Sequence, residues 1–304
     1  MATYMNPGIT FDPTAWSPLR ITAVRHELAG HPLLQLGPLT DLAKRLERTG
    51  SVRAHNDKAD PTTSFTTAPD THPIQLSVED TIRRIEESKA WMALHNIQND
   101  PLYRGLVDEV LDYVRPMVEP RDPGMCHRAG WIFVTSPGAV TPYHLDHEHN
   151  FILQILGKKS LHVFDPLDRS IVSERALELF HTKRSRELVV YSEEVQKKAH
   201  VFEVEPGMGA YMPVNAPHWV KNGDNVSITV SFTYYTKRTL LRKAAHRANY
   251  KLRALGLKPR PVGENPIADV VKQKLADVQR NAKLWVTRQK ETEPTLLTDK
   301  YALE

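Results

Sequence analysis

The sequence predicts a mainly β protein with flanking helices, built on a barrel or jelly roll. Three observations carry this expectation. The 304-residue chain is 40% hydrophobic, enough for one large buried core. From residue 130 onward, short runs rich in β-branched and aromatic residues follow one another closely, each bounded by Gly, Pro or Asp. Before and after that stretch, apolar residues recur at helical spacing instead. About six strands so closely spaced suggest closure into a barrel or jelly roll.

Residues 1–50 are mixed and Pro-punctuated, with one short amphipathic piece, LTDLAKRLERTG, that stops at Gly50. Residues 51–75 are polar with scattered Pro and Thr, and read as a long loop: a mobile lid or a substrate-facing segment. SVEDTIRRIEESKAWMALHN reads as a helix. Ser77 with Asp80 approximates a capping box, and Val78, Ile82, Ile85 and Met92 repeat at helical spacing. A second helix, DPLYRGLVDEVLDYVRPMV, has Asp100 as its cap and Pro101 at its first position. Its expected buried stripe is Leu102, Leu106, Val110 and Val114, and Pro116 is expected to end it.

The strand runs are GWIFVTS, NFILQILG, KKSLHVFDP, HVFEVEPG, GAYMPV and VSITVSFTYY. Residues 167–200 interrupt them with a charged, partly helical insertion. After 236 two helical patterns follow, one stopping at a Gly and one opening with Asn265 and Pro266. The expected organisation is thus an N-terminal helical and loop region packing on the core (1–125), the β core (126–236) and a C-terminal helical extension (237–304). There is no internal repeat.

Composition excludes several classes. The N-terminus has no basic start and no apolar run, so no secretory signal is expected. No apolar run approaches roughly 20 residues, so nothing is expected to span a membrane. Cys126 is the only cysteine, which rules out an intrachain disulfide framework and a Cys-rich zinc site. These features favour a cytoplasmic protein. A net charge of +4 and a pI of about 9.0 permit an acidic partner without arguing for one. The basic stretch 237–261 contains a single aromatic residue, Tyr250, too little for a base-stacking platform. It reads as a solvated helix face, and nucleic acid is not the expected partner.

The chemistry concentrates at 141–150, TPYHLDHEHN. On a strand, His144 and Asp146 point to the same face, so an imidazole nitrogen and a carboxylate oxygen can reach one point. His218, about seventy residues on in PVNAPHWVKNG, is the candidate third ligand. Two histidines and one carboxylate form the facial triad of non-haem Fe(II) oxygenases, with three positions left open. Alternatives remain. A site using more of the histidines would hold Mn, Ni or Zn. Glu148 shares the His144 face. Alternation puts His147 and His149 on the opposite face, as surface residues or as outer supports of the ligands. His162 and His200 read as ordinary half-buried histidines.

The window TPYHLDHEHNFILQILGKKSLHVFDP resembles the JmjC and cupin-like hydroxylase family, which includes the asparaginyl hydroxylase of hypoxia-inducible factor. The resemblance rests on Thr141, Pro142, His144, Asp146, Asn150, Phe151, Gln154, Ile155, Gly157, Lys159, Phe164 and Pro166, and extends over about 126–236. It implies a double-stranded β-helix core and a 2-oxoglutarate-dependent hydroxylase. In such an enzyme Fe(II) sits on His144, Asp146 and His218. O2 and 2-oxoglutarate are consumed, and succinate and CO2 are released. Lys159 would pair with the distal carboxylate of 2-oxoglutarate, and Thr141 and Asn150 would add hydrogen bonds. Plain alternation from Asn150 favours Lys158 over Lys159, but a turn or bulge at Gly157 resets that count, so the resemblance sets the register.

The family pattern is not complete. Ser231 stands where the hypoxia enzyme has an asparagine, and HEH follows Asp146, which leaves the substrate pocket open. Trp131, Tyr143, Trp219 and Tyr211 are candidate pocket walls. The substrate is expected to be a protein side chain or a small molecule. A non-catalytic cupin-type binding protein is the alternative. In the last helical pattern Ile267, Val271, Leu275, Val278, Ala282 and Trp285 form an apolar stripe that must be buried somewhere. The resemblance implies a homodimer built on 237–290.

Overall fold

In chain order the elements are β1 (Thr22–Arg25), α1 (Leu36–Glu47), β2 (Val52–Asn56), α2 (Ala68–Thr71), α3 (Val78–Arg83), β3 (Ala90–His95), α4 (Pro101–Val118), β4 (Cys126–Thr135), β5 (Val140–His144), β6 (His149–Leu156), β7 (Lys159–Val163), α5 (Glu174–Lys183), α6 (Glu193–Gln196), β8 (His200–Val204), β9 (Met208–Met212), β10 (His218–Asn222), β11 (Ser227–Tyr235) and α7 (Lys237–Ala254). The structure, a computed structural model, describes residues 6–183, 186 and 188–274.

The strands form two antiparallel sheets, ordered β1-β9-β6-β11-β4-β3-β2 and β5-β10-β7-β8. Their inner faces meet. Ile152, Ala210 and Met212 of the larger sheet share one apolar cluster with Leu161, Val163, Val204 and Val220 of the smaller. Alternation does the sorting. On β6, Ile152 points between the sheets, while Phe151, Leu153 and Ile155 point outward into the main core, which also takes in residues of α1 and α4. The smaller sheet is covered on its outside by the 167–200 insertion, with Val172, Leu177 and Phe180 against Tyr143, Phe164 and Trp219. The two sheets and the flanking helices match the expected fold class.

Two N-terminal elements differ from expectation. The helix expected over 77–96 ends at Arg83. Its Ser77 cap forms as predicted, accepting from Asp80 N–H at 3.1 Å. Lys89 then takes a positive φ of 51°, and Ala90–His95 is a strand buried on both faces between β2 and β4. A strand covered on both sides is a continuous apolar run with no period of its own, so Met92 mimicked a helical stripe. The expected loop at 51–75 likewise contains β2, the last strand of the larger sheet. Its inward positions carry Arg53 and His55 rather than aliphatic residues, which hid the alternation. The N-terminal region therefore adds β1–β3 to the sheet as well as helices and loops.

Helix α4 follows the prediction at its start, where Asp100 accepts from Leu102 N–H at 3.1 Å. Leu102 itself is 63% exposed, while Leu106, Val110 and Val114 are buried together with Tyr103, Val107 and Leu111. Pro116 does not stop the helix, which runs to Val118. The proline ring is on the exposed side, and burial of Val114 and Val118 holds the last turn to the core.

Helix α7 packs against α5. Arg253 Nε bonds the buried Glu178 carboxylate at 2.8 Å, and Arg247 Nε donates to His181 C=O at 2.6 Å. Residues 266–274 are helical, with Ile267 79% exposed. The rest of the predicted apolar stripe, Leu275, Val278, Ala282 and Trp285, lies outside the described residues. Among the described residues no helix is long and apolar enough to cross a membrane.

Candidate metal centre

β5 and β10 pair so that His144 and His218 lie directly opposite each other, and a register shift in β10 just after His218 marks the spot. Asp146 follows β5 in the loop leading to β6. Its backbone C=O accepts from Asn215 N–H at 3.0 Å, which ties this loop to the turn that delivers His218. The imidazole centroids are 4.2 Å apart. Asp146 spans them, with Oδ1 3.7 Å from His144 Nε2 and Oδ2 3.5 Å from His218 Nε2. One donor atom from each residue lies within 4.8 Å of the other two, and this is the sole such His/Cys/Asp/Glu group among the described residues.

The hydrogen bonds assign the tautomers. His144 Nδ1 is 2.7 Å from Pro142 C=O, and His218 Nδ1 is 3.0 Å from Ala216 C=O. A carbonyl only accepts, so both Nδ1 atoms carry the hydrogen and both Nε2 atoms present lone pairs. Burial, reinforced by His218 and Arg186, pushes the His144 imidazole well below its usual value against the pull of Asp146. It is therefore neutral near pH 7, as a metal ligand must be. Burial alone would raise the Asp146 carboxyl, but its cationic surroundings outweigh that and hold it below the usual carboxylate range. Arg186, a permanent cation, bonds Asp146 Oδ1 and donates to Leu145 C=O at 3.0 Å.

Deeper in the barrel, Lys159 is 4% exposed, and no described residue forms a hydrogen bond or ion pair with its ammonium. Burial pushes that ammonium down to about 7. Lys158 points out and pairs with Glu205 at 3.0 Å. Gly157 explains the register. Its φ is +73°, and a Cβ there would sit 2.2 Å from Val226 C=O, so the chain turns as only glycine allows and the alternation restarts. Thr141 Oγ1 accepts from Trp91 Nε1 at 2.7 Å. Asn150 donates to Ser231 Oγ at 3.2 Å, and its buried Oδ1 has no partner among the described residues. Ser231 thus neighbours Asn150 on the inner face of the larger sheet.

Other sequence readings change. His147 and His149 are buried, not surface residues. His147 stacks on Phe180 at 3.8 Å, and His149 bonds Thr239 and Tyr211, each at 2.8 Å. They do face away from His144, but α5 and α7 cover that side, which local alternation cannot reveal. Glu148 accepts from Tyr235 O–H at 3.1 Å and stays out of the triad. His162 is half-buried against Trp219, as expected, whereas His200 is exposed. Of the four candidate pocket walls, Trp131 alone lines the inner face, beside Trp91, Ala93 and Phe133. Tyr211 belongs to the outer main core, and Tyr143 and Trp219 lie under the insertion.

Three residues near the centre were missed. Phe65, from the segment after β2, stacks on His144 at 3.9 Å with 12° between the planes. Trp91 falls within the helical spacing read over 77–96, and Arg186 within the charged 167–200 insertion. A lone aromatic within a polar loop was the one available signal, for Phe65; nothing local marked Arg186.

The family model for the cupin-like domain matches residues 47–239. No curated protein matches the chain. Among solved structures, the chain is similar to the X-ray structure of Escherichia coli ycfD, at 14% identity and a TM-score of 0.46, with 90% of this chain and 68% of that chain covered. It is also similar to the structure described as YcfD, a ribosomal oxygenase from Escherichia coli in complex with cobalt and 2-oxoglutarate. There the identity is 17% and the TM-score 0.42, with 86% of this chain and 63% of that chain covered. This chain therefore spans somewhat under two thirds of the length of that second protein. A more partial likeness, to the DMSP lyase DddQ of Ruegeria pomeroyi, has 10% identity and a TM-score of 0.24 over 36% of this chain and 38% of that one. Because the family match takes in well over half of the sequence and nearly every strand of both sheets, the chain belongs to the cupin-like domain family.

Proposed function

We propose that this chain is an Fe(II)- and 2-oxoglutarate-dependent oxygenase that hydroxylates a protein side chain or a small molecule. One observation carries the reading: a single barrel holds three converging metal-donor atoms and, deeper in, a buried ammonium that pairs with no anion among the described residues. The donor set suits iron. His144 and His218 would each give Nε2 and Asp146 one carboxylate oxygen, leaving other positions for reactants. Lys159 suits the distal carboxylate of 2-oxoglutarate, because that anion offsets the hydration the ammonium lost on burial. Thr141 and Asn150 add uncharged hydrogen bonds to the same molecule.

When bound, iron and 2-oxoglutarate supply the oxidising power to place one oxygen of O2 in a C–H bond, with succinate and CO2 as by-products. The chain's own contribution is position and environment. Pro142 and Ala216 carbonyls fix the two imidazoles, Arg186 holds Asp146 ionised, and Phe65, Trp91 and Phe133 wall off water. The three-part organisation at 125/126 and 236/237, a cytoplasmic setting and a homodimer through 237–290 belong to the same proposal. The exposed Ile267 and Val271 support the dimer. Basic residues of α7 engage α5, as Arg253 does with Glu178, which supports an intramolecular role over nucleic-acid binding.

The test is spectroscopic. Anaerobic Fe(II) with 2-oxoglutarate is expected to give a weak visible charge-transfer band, absent in His144→Ala, and admission of O2 is expected to yield succinate. Neither band nor succinate in the wild type would leave a non-catalytic binding protein as the better reading.

A further inference from the structure

Trp91 lies on β3, outside the 126–236 segment, and its ring enters the barrel. His55 stacks on it at 4.6 Å with 12° between planes, Phe65 meets it edge-on at 6.2 Å, and Phe133 leans against it at 5.6 Å. A ring confined on three sides aims its N–H in one direction, and that direction is Thr141 Oγ1, 2.7 Å away.

An indole N–H donates and never accepts. Thr141 is therefore the acceptor in this bond, and its single hydroxyl hydrogen is left for some other acceptor. No described residue takes it. A second donor, without an acceptor among the described residues, faces the same barrel interior two strands away. Thr141 is opposite Val220 on β10, Val220 is opposite Leu161 on β7, and Lys159 is one same-face step from Leu161. An uncommitted hydroxyl hydrogen on half-buried Thr141 and the buried Lys159 ammonium match a carboxylate, which accepts from both.

We propose that Trp91 is a positioning residue for 2-oxoglutarate: its N–H commits the Thr141 hydroxyl to donate toward the carboxylate that the Lys159 ammonium holds. The identity of that anion rests on the oxygenase reading above. Without the indole N–H, the hydroxyl is free to rotate or to turn toward water, and the carboxylate loses a directed bond. The metal ligands do not depend on this bond, so Trp91 acts on cosubstrate affinity and not on metal affinity.

The experiment titrates 2-oxoglutarate into the anaerobic Fe(II) protein, following the charge-transfer band, and separately titrates Co(II). Trp91→Phe keeps an aromatic ring and removes the N–H. It is expected to weaken 2-oxoglutarate binding about ten-fold, the scale of one hydrogen bond to a charged group, with Co(II) affinity unchanged. Thr141→Val should do the same, and Thr141→Ser should retain wild-type binding. The double variant Trp91→Phe/Thr141→Val should be no weaker than Thr141→Val alone, because both changes remove one shared interaction. Wild-type affinity in Trp91→Phe, or independent effects that multiply in the double variant, overturns the proposal while leaving the oxygenase reading intact. An equal loss of Co(II) affinity overturns it too, since that marks a structural role. A wild-type chain that binds Fe(II) but no 2-oxoglutarate overturns both.

Discussion

His144 and His149 stand in the same short stretch, TPYHLDHEHN, and both are buried, yet they are built for different work. His144 spends Nδ1 on a backbone carbonyl and keeps Nε2 free beside Asp146 and His218. His149 has both ring nitrogens engaged, with Nε2 on Thr239 and Nδ1 on Tyr211, and Asp122 at 3.4 Å. One faces into the barrel and the other faces the outer core beneath the start of α7. The difference teaches that burial and residue type do not make a ligand. What sets His144 apart is a leftover lone pair that faces a carboxylate and a second imidazole; His147 also has free ring nitrogens, but it lies against Phe180 with no such neighbours.

The comparison breaks most visibly at Asp146. Asp146→Ala is expected to abolish 2-oxoglutarate turnover and to weaken Co(II) binding by more than about 100-fold, the upper range for losing a mere supporting partner of a metal ligand. Circular dichroism should show the fold retained, because Asp146 sits at the loop edge of the barrel with its side chain 25% exposed. The opposite pattern is expected from His149→Ala. Its removal takes one partner from each of Thr239, Tyr211 and Asp122, which keep Thr236, Pro18 C=O and Arg238, and opens a cavity between α7 and the core, together at about 1–3 kcal/mol. Urea unfolding should register a loss of that size, while Co(II) affinity stays at the wild-type value. Loss of metal binding in His149→Ala would show that the two histidines are one unit.

A smaller contrast is set up by the adjacent lysines. Lys159→Ala is expected to raise the 2-oxoglutarate requirement by roughly 10- to 100-fold, as one charge-assisted bond of about 1.5–3 kcal/mol implies. Lys158→Ala, at an exposed ion pair, should leave both binding and stability within about 0.5 kcal/mol of wild type. The pH dependence has a definite sign. Burial holds the free Lys159 ammonium down to about 7, and binding an anion favours its charged form. Above that pH the free protein must take up a proton to bind, so affinity should fall with rising pH, by up to about ten-fold per unit. Below it, affinity should level off. Calorimetry at pH 6 and pH 8.5 checks this. A flat profile would mean that the ammonium stays charged without its ligand.

Much of the β core was legible because its strands alternate between an apolar outer core and the barrel interior, as β6 and β11 do. The triad was legible because His144 and Asp146 lie close in sequence and follow a Thr-Pro pair. Lys159 required the resemblance, since a glycine turn breaks the alternation that would have identified it. Three kinds of information were out of reach. β3 is covered on both faces and so carries no period. β2 turns Arg53 and His55 inward, where a strand pattern expects aliphatic residues. His147, His149, Phe65 and Arg186 acquire their partners from segments distant in the chain, and a local window contains no trace of those contacts.

The central claim is that His144, Asp146 and His218 form a metal centre whose cosubstrate docks on Lys159. Titrating Co(II) into the protein, followed by 2-oxoglutarate, tests it most directly through the visible spectrum of the ion. The account predicts one tightly bound Co(II) per chain, with a spectrum that changes on adding 2-oxoglutarate. It predicts that Asp146→Ala loses the metal signal altogether and that Lys159→Ala keeps it but loses the response to 2-oxoglutarate. Co(II) binding that survives Asp146→Ala and His218→Ala unchanged would contradict it.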